Sequence, residues 1–478
     1  MRTWKLHSIA TAGVLTSVLA CGASPGGGGD ADVHGKGNAP TPTGTGTAST
    51  PQPMPTQAPP TEALRQLDVG AEHTCAVIEG RVKCWGYGGS GALGYGDTMN
   101  RGEAANQMGV NLPAVDLGTG VLAKSVHAGY RHTCALLTDG HVKCWGSGSL
   151  GIGVTDARGD EPNEMGNYLP LVDLGVGRTA KALFAGELAT CALLDNDGLK
   201  CWGKNSVGVL GLGDRVSRGD APNQMGDNLP YVQLGAGRFV KDLAIGMVHA
   251  CAVLDDQTVK CWGENMVGQL GQGTYTLPIG ISPNEVANLP PVNLGSGRTA
   301  KAVAVGDYHS CVILDNDTVK CWGENRSGQL GLGDQRIRGS RPNEMGDNLM
   351  PVDLGPGRTA KRITATMDST CVITDDDNVK CWGDDSLGRL GAEGARNRGS
   401  APNQMGANLP GVNLGIGRHV RALYSGYIGT SCAVLDNADV KCWGFNGQGQ
   451  LGLGDTVHRG ITADQMGDNL PVVNLTGP

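Results

Sequence analysis

A cysteine pair recurs seven times along this chain, and the second cysteine of every pair begins the triplet Cys-Trp-Gly. These second cysteines follow one another at intervals of 60, 57, 60, 60, 60 and 61 residues. A fixed period of this size is typical of repeat architectures, in which each unit buries its apolar face only against its neighbours. We therefore expect function on a surface of seven near-equivalent units rather than in one buried catalytic centre. The pairs are Cys75–Cys84, Cys134–Cys144, Cys191–Cys201, Cys251–Cys261, Cys311–Cys321, Cys371–Cys381 and Cys432–Cys442.

A single repeat, residues 174–234, shows the pattern of an all-β unit. Two apolar strands flank a turn at residues 195–198, and residues 228–234 form a further strand-like run. Glycine accounts for 78 of the 478 residues, which suits tight turns and disfavours helices. The pattern predicts about four short strands per repeat. The predicted repeats are 61–117, 118–174, 175–234, 235–294, 295–354, 355–414 and 415–478.

The spacing within each cysteine pair predicts a disulfide across a β-hairpin. A two-residue turn after Ile78 places Cys75 directly opposite Cys84, and directly opposed residues lie close enough for a disulfide. Strand alternation then puts Val77 on the cysteine face and Trp85 on the other face. Zinc is the alternative interpretation of paired cysteines, but no second CxxC and no histidine at a matching offset accompany them.

The N-terminus has the pattern of an export signal followed by a tether. Residues 1–20 begin with positive charge, continue with a short apolar run and end just before Cys21, as in the lipobox of bacterial lipoproteins. This resemblance implies lipidation of Cys21, and an ordinary secretory leader cut near Ala20 or Ala23 is the alternative. Residues 21–60 are rich in Gly, Ser, Thr and Pro, which predicts a disordered tether between the lipid and a domain at 61–478.

Charge and cysteine usage narrow the compartment and the partners. The formal net charge is −8 and no basic run is present, which argues against nucleic-acid binding. Fourteen cysteines in local pairs behind an export signal indicate an oxidising compartment. We expect an exported lipoprotein of the outer membrane or cell surface, and an orientation toward the periplasm is the alternative. Only its lipid would hold it to the membrane.

The repeat resembles a known family. The run Gly306 to His309, the Trp-Gly-Glu-Asn segment at Trp322 and the Gly-Gln-Leu-Gly-Leu-Gly segment at Gly328 are similar to the repeat of the regulator of chromosome condensation family. The resemblance implies a seven-bladed β-propeller with one disulfide per blade, similar to an exported bacterial branch. The positions of the first and last repeats predict that the two termini meet to complete one blade. Repeat six departs from it, with Thr366 in the place of the glycine that Gly306 represents.

Several motifs have a chemical and a structural interpretation. Four histidines precede the first cysteine of their repeats and could converge on a metal, although packing between blades is the structural alternative. Aspartate-rich turns such as 315–317 are similar to calcium loops but lack the downstream glutamate of an EF-hand. The GxGxxG matches at 86–91 and 146–151 open turns in an all-β repeat, so they do not predict a dinucleotide site. The four histidines are His73, His132, His249 and His309.

Two groups of side chains are candidates for partner contacts. An arginine cluster in repeats five and six could bind an anionic partner, or could be a solvated loop face. Scattered tyrosines are the obvious aromatic hot-spot candidates. The arginines are Arg336, Arg338, Arg341, Arg389, Arg396 and Arg398, and the tyrosines are Tyr87, Tyr130, Tyr275, Tyr308 and Tyr427.

These observations predict a monomeric cell-envelope lipoprotein whose propeller is a non-catalytic protein- or glycan-binding module without cofactor or metal. Inhibition of a secreted enzyme is the alternative function. Guanine nucleotide exchange, the founding activity of the family, needs a nuclear partner that an exported protein does not meet. No GxSxG, HExxH or singular Ser/His/Asp set indicates an enzyme.

Overall fold

Each repeat folds into one antiparallel sheet of three strands in chain order. The computed structural model describes residues 64–477, except 276, 393 and 395, so the predicted leader, Cys21 and the tether lie outside the described residues. We number the sheets as blades one to seven. They comprise β1 (Leu64–Val69), β2 (His73–Ile78) and β3 (Arg81–Gly86); β4 (Ala123–Ala128), β5 (His132–Leu137) and β6 (Val142–Gly146); β7 (Ala180–Ala185), β8 (Ala189–Leu194) and β9 (Leu199–Gly203); β10 (Val240–Ile245), β11 (His249–Leu254) and β12 (Val259–Gly263); β13 (Ala300–Val305), β14 (His309–Leu314) and β15 (Val319–Gly323); β16 (Ala360–Ala365), β17 (Ser369–Thr374) and β18 (Val379–Gly383); and β19 (Val420–Ser425), β20 (Thr430–Leu435) and β21 (Val440–Gly444).

Helical structure in the described residues is confined to single turns between the sheets. One short α-helix, α1, spans Glu285–Asn288 in the loop after blade four. None of the described helices is long and apolar enough to cross a membrane. The 3₁₀ turns are Gly89–Gly91, Ala105–Gln107, Gly109–Asn111, Gly166–Tyr168, Gly226–Asn228, Gly346–Asn348, Ser386–Gly388, Gly406–Asn408, Ala463–Gln465 and Gly467–Asn469.

The predicted fourth strand of each repeat is wrong, because the sheets have three strands. Residues 228–234 run beside the third strand of their blade but share one backbone hydrogen bond with it, from Val232 N–H to the Leu199 carbonyl at 2.8 Å. Pro230 has no N–H to donate two residues earlier, and this interrupts a ladder before it can start. The run still buries Leu229 and Leu234 against the blade.

The predicted disulfide hairpins are confirmed. Cys251 and Cys261 are register partners in adjacent strands, and all seven pairs are bonded within their blades with Cα atoms 4.0–4.1 Å apart. Val77 packs in the same core cluster as its cysteines, whereas Trp85 packs in the cluster on the other side of the sheet. Strand alternation therefore gives each blade one cysteine face and one tryptophan face.

The core lies between the blades. The seven tryptophans of the Cys-Trp-Gly triplets are fully buried. Trp322 of blade five packs with Val253 and Val259 of blade four, and its Nε1–H donates to the Gln269 carbonyl of the preceding repeat at 2.9 Å. Each tryptophan thus stabilises the junction with the blade before it, as repeat proteins require.

The same contacts close the ring. Trp85 of blade one donates to the carbonyl of Gln450, 365 residues later, at 3.0 Å. Leu67 and Val440 share one core cluster, so blades one and seven pack as neighbours. The C-terminal segment 473–477 completes this junction, while the N-terminal β1 stays in the sheet of blade one.

Candidate functional site

The loops between the first and second strands converge at one end of the propeller axis. Each loop begins with the residue directly after the first strand of its blade, which is glycine in six blades and Thr366 in blade six. The residues around these starting positions line a narrow axial cavity with a volume of about 90 Å³. A Cβ on Gly306 would lie 2.2 Å from the Thr366 carbonyl of the next blade, so only glycine permits this approach. Thr366 itself is accommodated because its hydroxyl bonds to that of Ser369, 2.6 Å away, where four other blades carry histidine.

The residue that follows this starting position varies among the blades, whereas the Lys-Cys-Trp-Gly segment is the same in all seven. We call these seven residues the axial ring, and the end of the propeller that carries them the axial face. They combine two acids, two tyrosines, two methionines and one alanine. The axial ring is Ala71, Tyr130, Glu187, Met247, Asp307, Met367 and Tyr427.

The two carboxylates of the axial ring are buried and share one hydroxyl. Glu187 is 8% exposed and Asp307 is 6% exposed. The Tyr427 hydroxyl donates to Asp307 Oδ2 at 2.7 Å, and it lies close enough to Glu187 to lower the pKa of that carboxyl. Among the described residues, Glu187 Oε2 and Asp307 Oδ1 have no hydrogen-bond partner. The site therefore has more acceptors than donors.

Burial sets the electrostatics of this group. Desolvation, and then the charge of Asp307, raise the pKa of Glu187 to about 7. Desolvation raises the pKa of Asp307 to about 7, against the hydrogen bond from Tyr427. The same burial raises the pKa of Tyr427, so its phenol stays a donor at neutral pH.

Aromatic rings and sulfur surround the carboxylates. Tyr130 and Tyr427 meet edge to face with ring centroids 6.1 Å apart, and Met247 Sδ lies 3.3 Å from the Tyr427 hydroxyl. The Arg131 guanidinium lies over the rings of Tyr87 and Tyr130, at 5.5 and 5.3 Å from their centroids. Three of the five tyrosines that are scattered in sequence are thus brought together.

The next shell of the axial face is acidic on blades five and six. Asp368 follows Met367 of the axial ring and accepts a hydrogen bond from Gln329 Nε2 at 2.9 Å. Arg389, one of the predicted partner-binding arginines, is only 8% exposed and bonds to Asp384 Oδ2 at 2.6 Å. Arg389 therefore neutralises an acid of this face.

The other predicted arginines fall into two groups. Arg338 donates to Asp334 at 2.7 Å, and its backbone bridges Gly323; Arg398 bridges Gly383 in the same way. The corresponding arginines of other repeats make the same bridge, which gives both residues a structural role in their loops. Arg336, Arg341 and Arg396 are exposed, and their binding role stays a prediction.

The histidines link neighbouring blades. His309 Nε2 lies 2.9 Å from the Thr370 hydroxyl of blade six, and His73, His132 and His249 contact the hydroxyl of the following blade in the same way. This agrees with the packing interpretation. No group of three or more His, Cys, Asp or Glu within the described residues is arranged to hold a metal.

The aspartate-rich turns lie at the opposite end of the blades and are ion-paired. Arg298 bonds to Asp315 at 2.9 Å and Lys301 bonds to Asp317 at 2.7 Å. The turn at 375–377 has the equivalent pairs. Arginine and lysine thus supply the counter-charge that a calcium ion would otherwise provide.

The lysine of each Lys-Cys-Trp-Gly segment links two successive repeats, and it was not among the residues predicted from the sequence. Lys143 Nζ donates to the carbonyls of Leu117 and Gly166, at 2.8 and 2.7 Å. Lys83 makes the corresponding bonds across the ring closure, to Gly109 and Leu475 at 2.8 and 3.0 Å. The invariance of this lysine among the seven repeats was the available signal.

Seven radial sheets, closed by contacts between the first and last blades, define the chain as a seven-bladed β-propeller. Regulator of chromosome condensation repeats match at residues 123–152 and 300–329, and a second description of the same repeat matches residues 258–313. The chain is therefore a propeller that contains repeats of the regulator of chromosome condensation type.

Known proteins of similar sequence and fold agree with this assignment. The ultraviolet-B receptor UVR8 of Arabidopsis thaliana is 28% identical over 409 residues, which cover 84% of this chain and 81% of the receptor. Yeast RCC1 (Prp20), solved bound to Kap60, superposes with a TM-score of 0.57 at 18% identity, covering 86% of this chain and 85% of its own. Prp20p of Saccharomyces cerevisiae, in a study of its binding to Gsp1p and histones, gives a TM-score of 0.53 at 18% identity, over 76% and 80% of the two chains.

Proposed function

We propose that this propeller is a non-catalytic protein-binding module whose partner docks on the axial face. The axial ring carries the proposal: the repeats share structural residues such as the Lys-Cys-Trp-Gly segment, but they differ where the loops of all seven blades meet. Structural requirements are the same in every blade, so they do not account for that variety. Binding of a partner that contacts all the blades at once accounts for the variety, because the function of a shared fold depends on its loops.

The character of the axial face supports a protein partner. Leu188, next to Glu187, is 39% exposed on this face, and Tyr87, Tyr130 and Arg131 lie together beside it. Exposed apolar side chains with tyrosine and arginine are enriched at protein interfaces. The yeast relative bound to Kap60 is an example of a propeller of this fold that engages a protein.

We also propose that the module acts in the cell envelope, anchored by a lipid on Cys21. The export signal and the lipobox-like sequence support this placement. The seven disulfides support it independently, because structural disulfides persist in oxidising compartments. Labelling cells with radioactive palmitate tests the anchor: the wild type should incorporate label, and Cys21→Ala should not.

Site-specific photo-crosslinking tests the docking face. A benzophenone amino acid in place of Leu188 probes the axial face, and the same amino acid in place of Phe239 is the matched control. Phe239 is 37% exposed and precedes β10, so it lies at the opposite end of a blade with nearly the same exposure as Leu188. Irradiation of intact envelopes that contain the full chain should give a saturable protein adduct from position 188 only.

The outcomes separate the alternatives. Equal adducts from both positions, or adducts only from position 239, contradict docking on the axial face. Recovery of glycan without protein contradicts a protein partner. Combined replacement of the exposed Arg336, Arg341 and Arg396 by alanine then tests the arginine prediction: loss of the adduct places these residues in the interface, and an unchanged adduct leaves them as solvated loop residues.

A further inference from the structure

We propose that the axial ring binds the tip of an unbranched alkylammonium chain, with Glu187 and Asp307 receiving the ammonium group. The proposal rests on the proposed function only in taking the axial face as the binding face. It specifies the chemistry of the group that enters. A lysine side chain of a protein partner and a free aliphatic diamine both carry this group.

The first argument is the balance of donors and acceptors. Two buried carboxylates converge on Tyr427, whose hydroxyl has one proton to give, and that proton bonds to Asp307 at 2.7 Å. Glu187 Oε2 and Asp307 Oδ1 have no partner among the described residues. A buried acceptor without a donor destabilises the folded state. An ammonium group brings three N–H donors to satisfy such oxygens.

The second argument is charge. Arg389 is the cation whose charge acts on Asp307; its Nη1 is bonded to Asp384, and its Nε has no partner among the described residues. Arg131 lies over two tyrosine rings. Further carboxylates, including Asp368, follow on the same face. The axial ring therefore favours a cation over an anion or a neutral donor, because a cation also relieves the repulsion between the two carboxylates.

The third argument is shape. The axial cavity of about 90 Å³ is far smaller than the pockets that enclose drug-sized ligands, at roughly 300–1,000 Å³, so it admits only a narrow tip. Glu187 and Tyr427 line this cavity, and Tyr130 and Met247 contact Tyr427, whose hydroxyl bonds to Asp307. Aromatic faces attract ammonium groups, and methionine packs on methylene chains. This set suits an alkyl stem better than a metal ion, for which the described residues offer no three-ligand group.

Calorimetric titration of the full chain with cadaverine and with N-acetyl-lysine methylamide, at about pH 8, tests the proposal. N-acetyl-norleucine methylamide and 1-pentanol are the uncharged controls. Both amines should bind, and neither control should. Stronger binding of the lysine derivative identifies a protein side chain as the source, and stronger binding of cadaverine identifies a free diamine.

Variants distinguish a binding site from a merely structural acid pair. Asp307→Asn and Glu187→Gln should each weaken amine binding by about tenfold or more, since each removes one charge from a desolvated contact. Glu264→Gln is the matched control on the same face and should change the affinity by less than about twofold.

Absence of binding by both amines, equal binding of the uncharged controls, or equal weakening by Glu264→Gln and Asp307→Asn would overturn the proposal. The crosslinking experiment at Leu188 is independent of these titrations. A propeller that gives the adduct but binds no amine retains its docking face and loses only the ammonium site.

Discussion

Replacement of Lys83 by methionine should open the ring at its closure. The substitution keeps the aliphatic stem and removes the two bonds from Nζ to the Gly109 and Leu475 carbonyls, at 2.8 and 3.0 Å. Hydrogen bonds to charged groups contribute roughly 1.5–3 kcal/mol each, and loss of the half-buried charge offsets part of this. We expect the C-terminal segment to be held less strongly by about 2–4 kcal/mol.

Hydrogen exchange measures this loss directly. The amides of Gly109 and Val110 donate to the Asn474 and Gly477 carbonyls, and the Val473 amide donates to Val440. Because about 1.4 kcal/mol corresponds to a factor of ten, exchange of these three amides should accelerate by about 30- to 700-fold.

Lys143→Met is the matched control. It removes the same two bonds at the junction of blades one and two, where the chain is continuous, so it should lower stability without exposing the C-terminal segment. If the three amides exchange at the same rate in both variants, Lys83 does not hold the closure and the reasoning is refuted.

Three further results are expected. Replacing Cys311 and Cys321 together by alanine should lower the free energy of unfolding in urea by about 2–3 kcal/mol, since the disulfide closes a loop of ten residues; an unchanged value would contradict this. Burial, and then His249, lower the pKa of His309 to about 3, below its ordinary 6.5, so the unfolded state binds more protons below about pH 6.5. Wild type should therefore lose stability relative to His309→Gln as the pH falls from about 6.5 toward 3, and parallel denaturation curves would refute the assignment. Asp307 has the opposite sign: with its pKa raised from 3.8 to about 7 by burial, the folded state binds the extra proton, and wild type should gain stability relative to Asp307→Asn as the pH falls from about 7 to 4.

Features that depend on neighbours in sequence were predictable. The disulfides followed from hairpin spacing, and the opposite faces of Val77 and Trp85 followed from strand alternation. Both are fixed within about ten residues of chain, where backbone geometry leaves few alternatives. The fourth strand failed because apolar content alone does not reveal that Pro230 interrupts the ladder.

The candidate site was less accessible to sequence reasoning. Arg338 was predicted as a partner-binding residue because it belongs to a local arginine cluster, but its partner Asp334 lies four residues earlier in its own loop. The informative signal was the position directly after the first glycine of each loop, where Glu187, Asp307 and Tyr427 replace one another between repeats. Variation at a column close to invariant structural residues indicates a position that the fold of the repeat does not constrain.

By itself, the sequence determined the number of blades, the disulfide pairs and the family, because a period of about sixty residues and local spacing are written along the chain. Only the tertiary structure decided that Glu187, Asp307 and Tyr427 share one buried site, since they lie as many as 240 residues apart in sequence. Closure of the ring brings equivalent loops of all blades to one axis, where residues that are equivalent in sequence become neighbours in space. No single repeat contains this site, because the site forms only when the seven blades close into a ring.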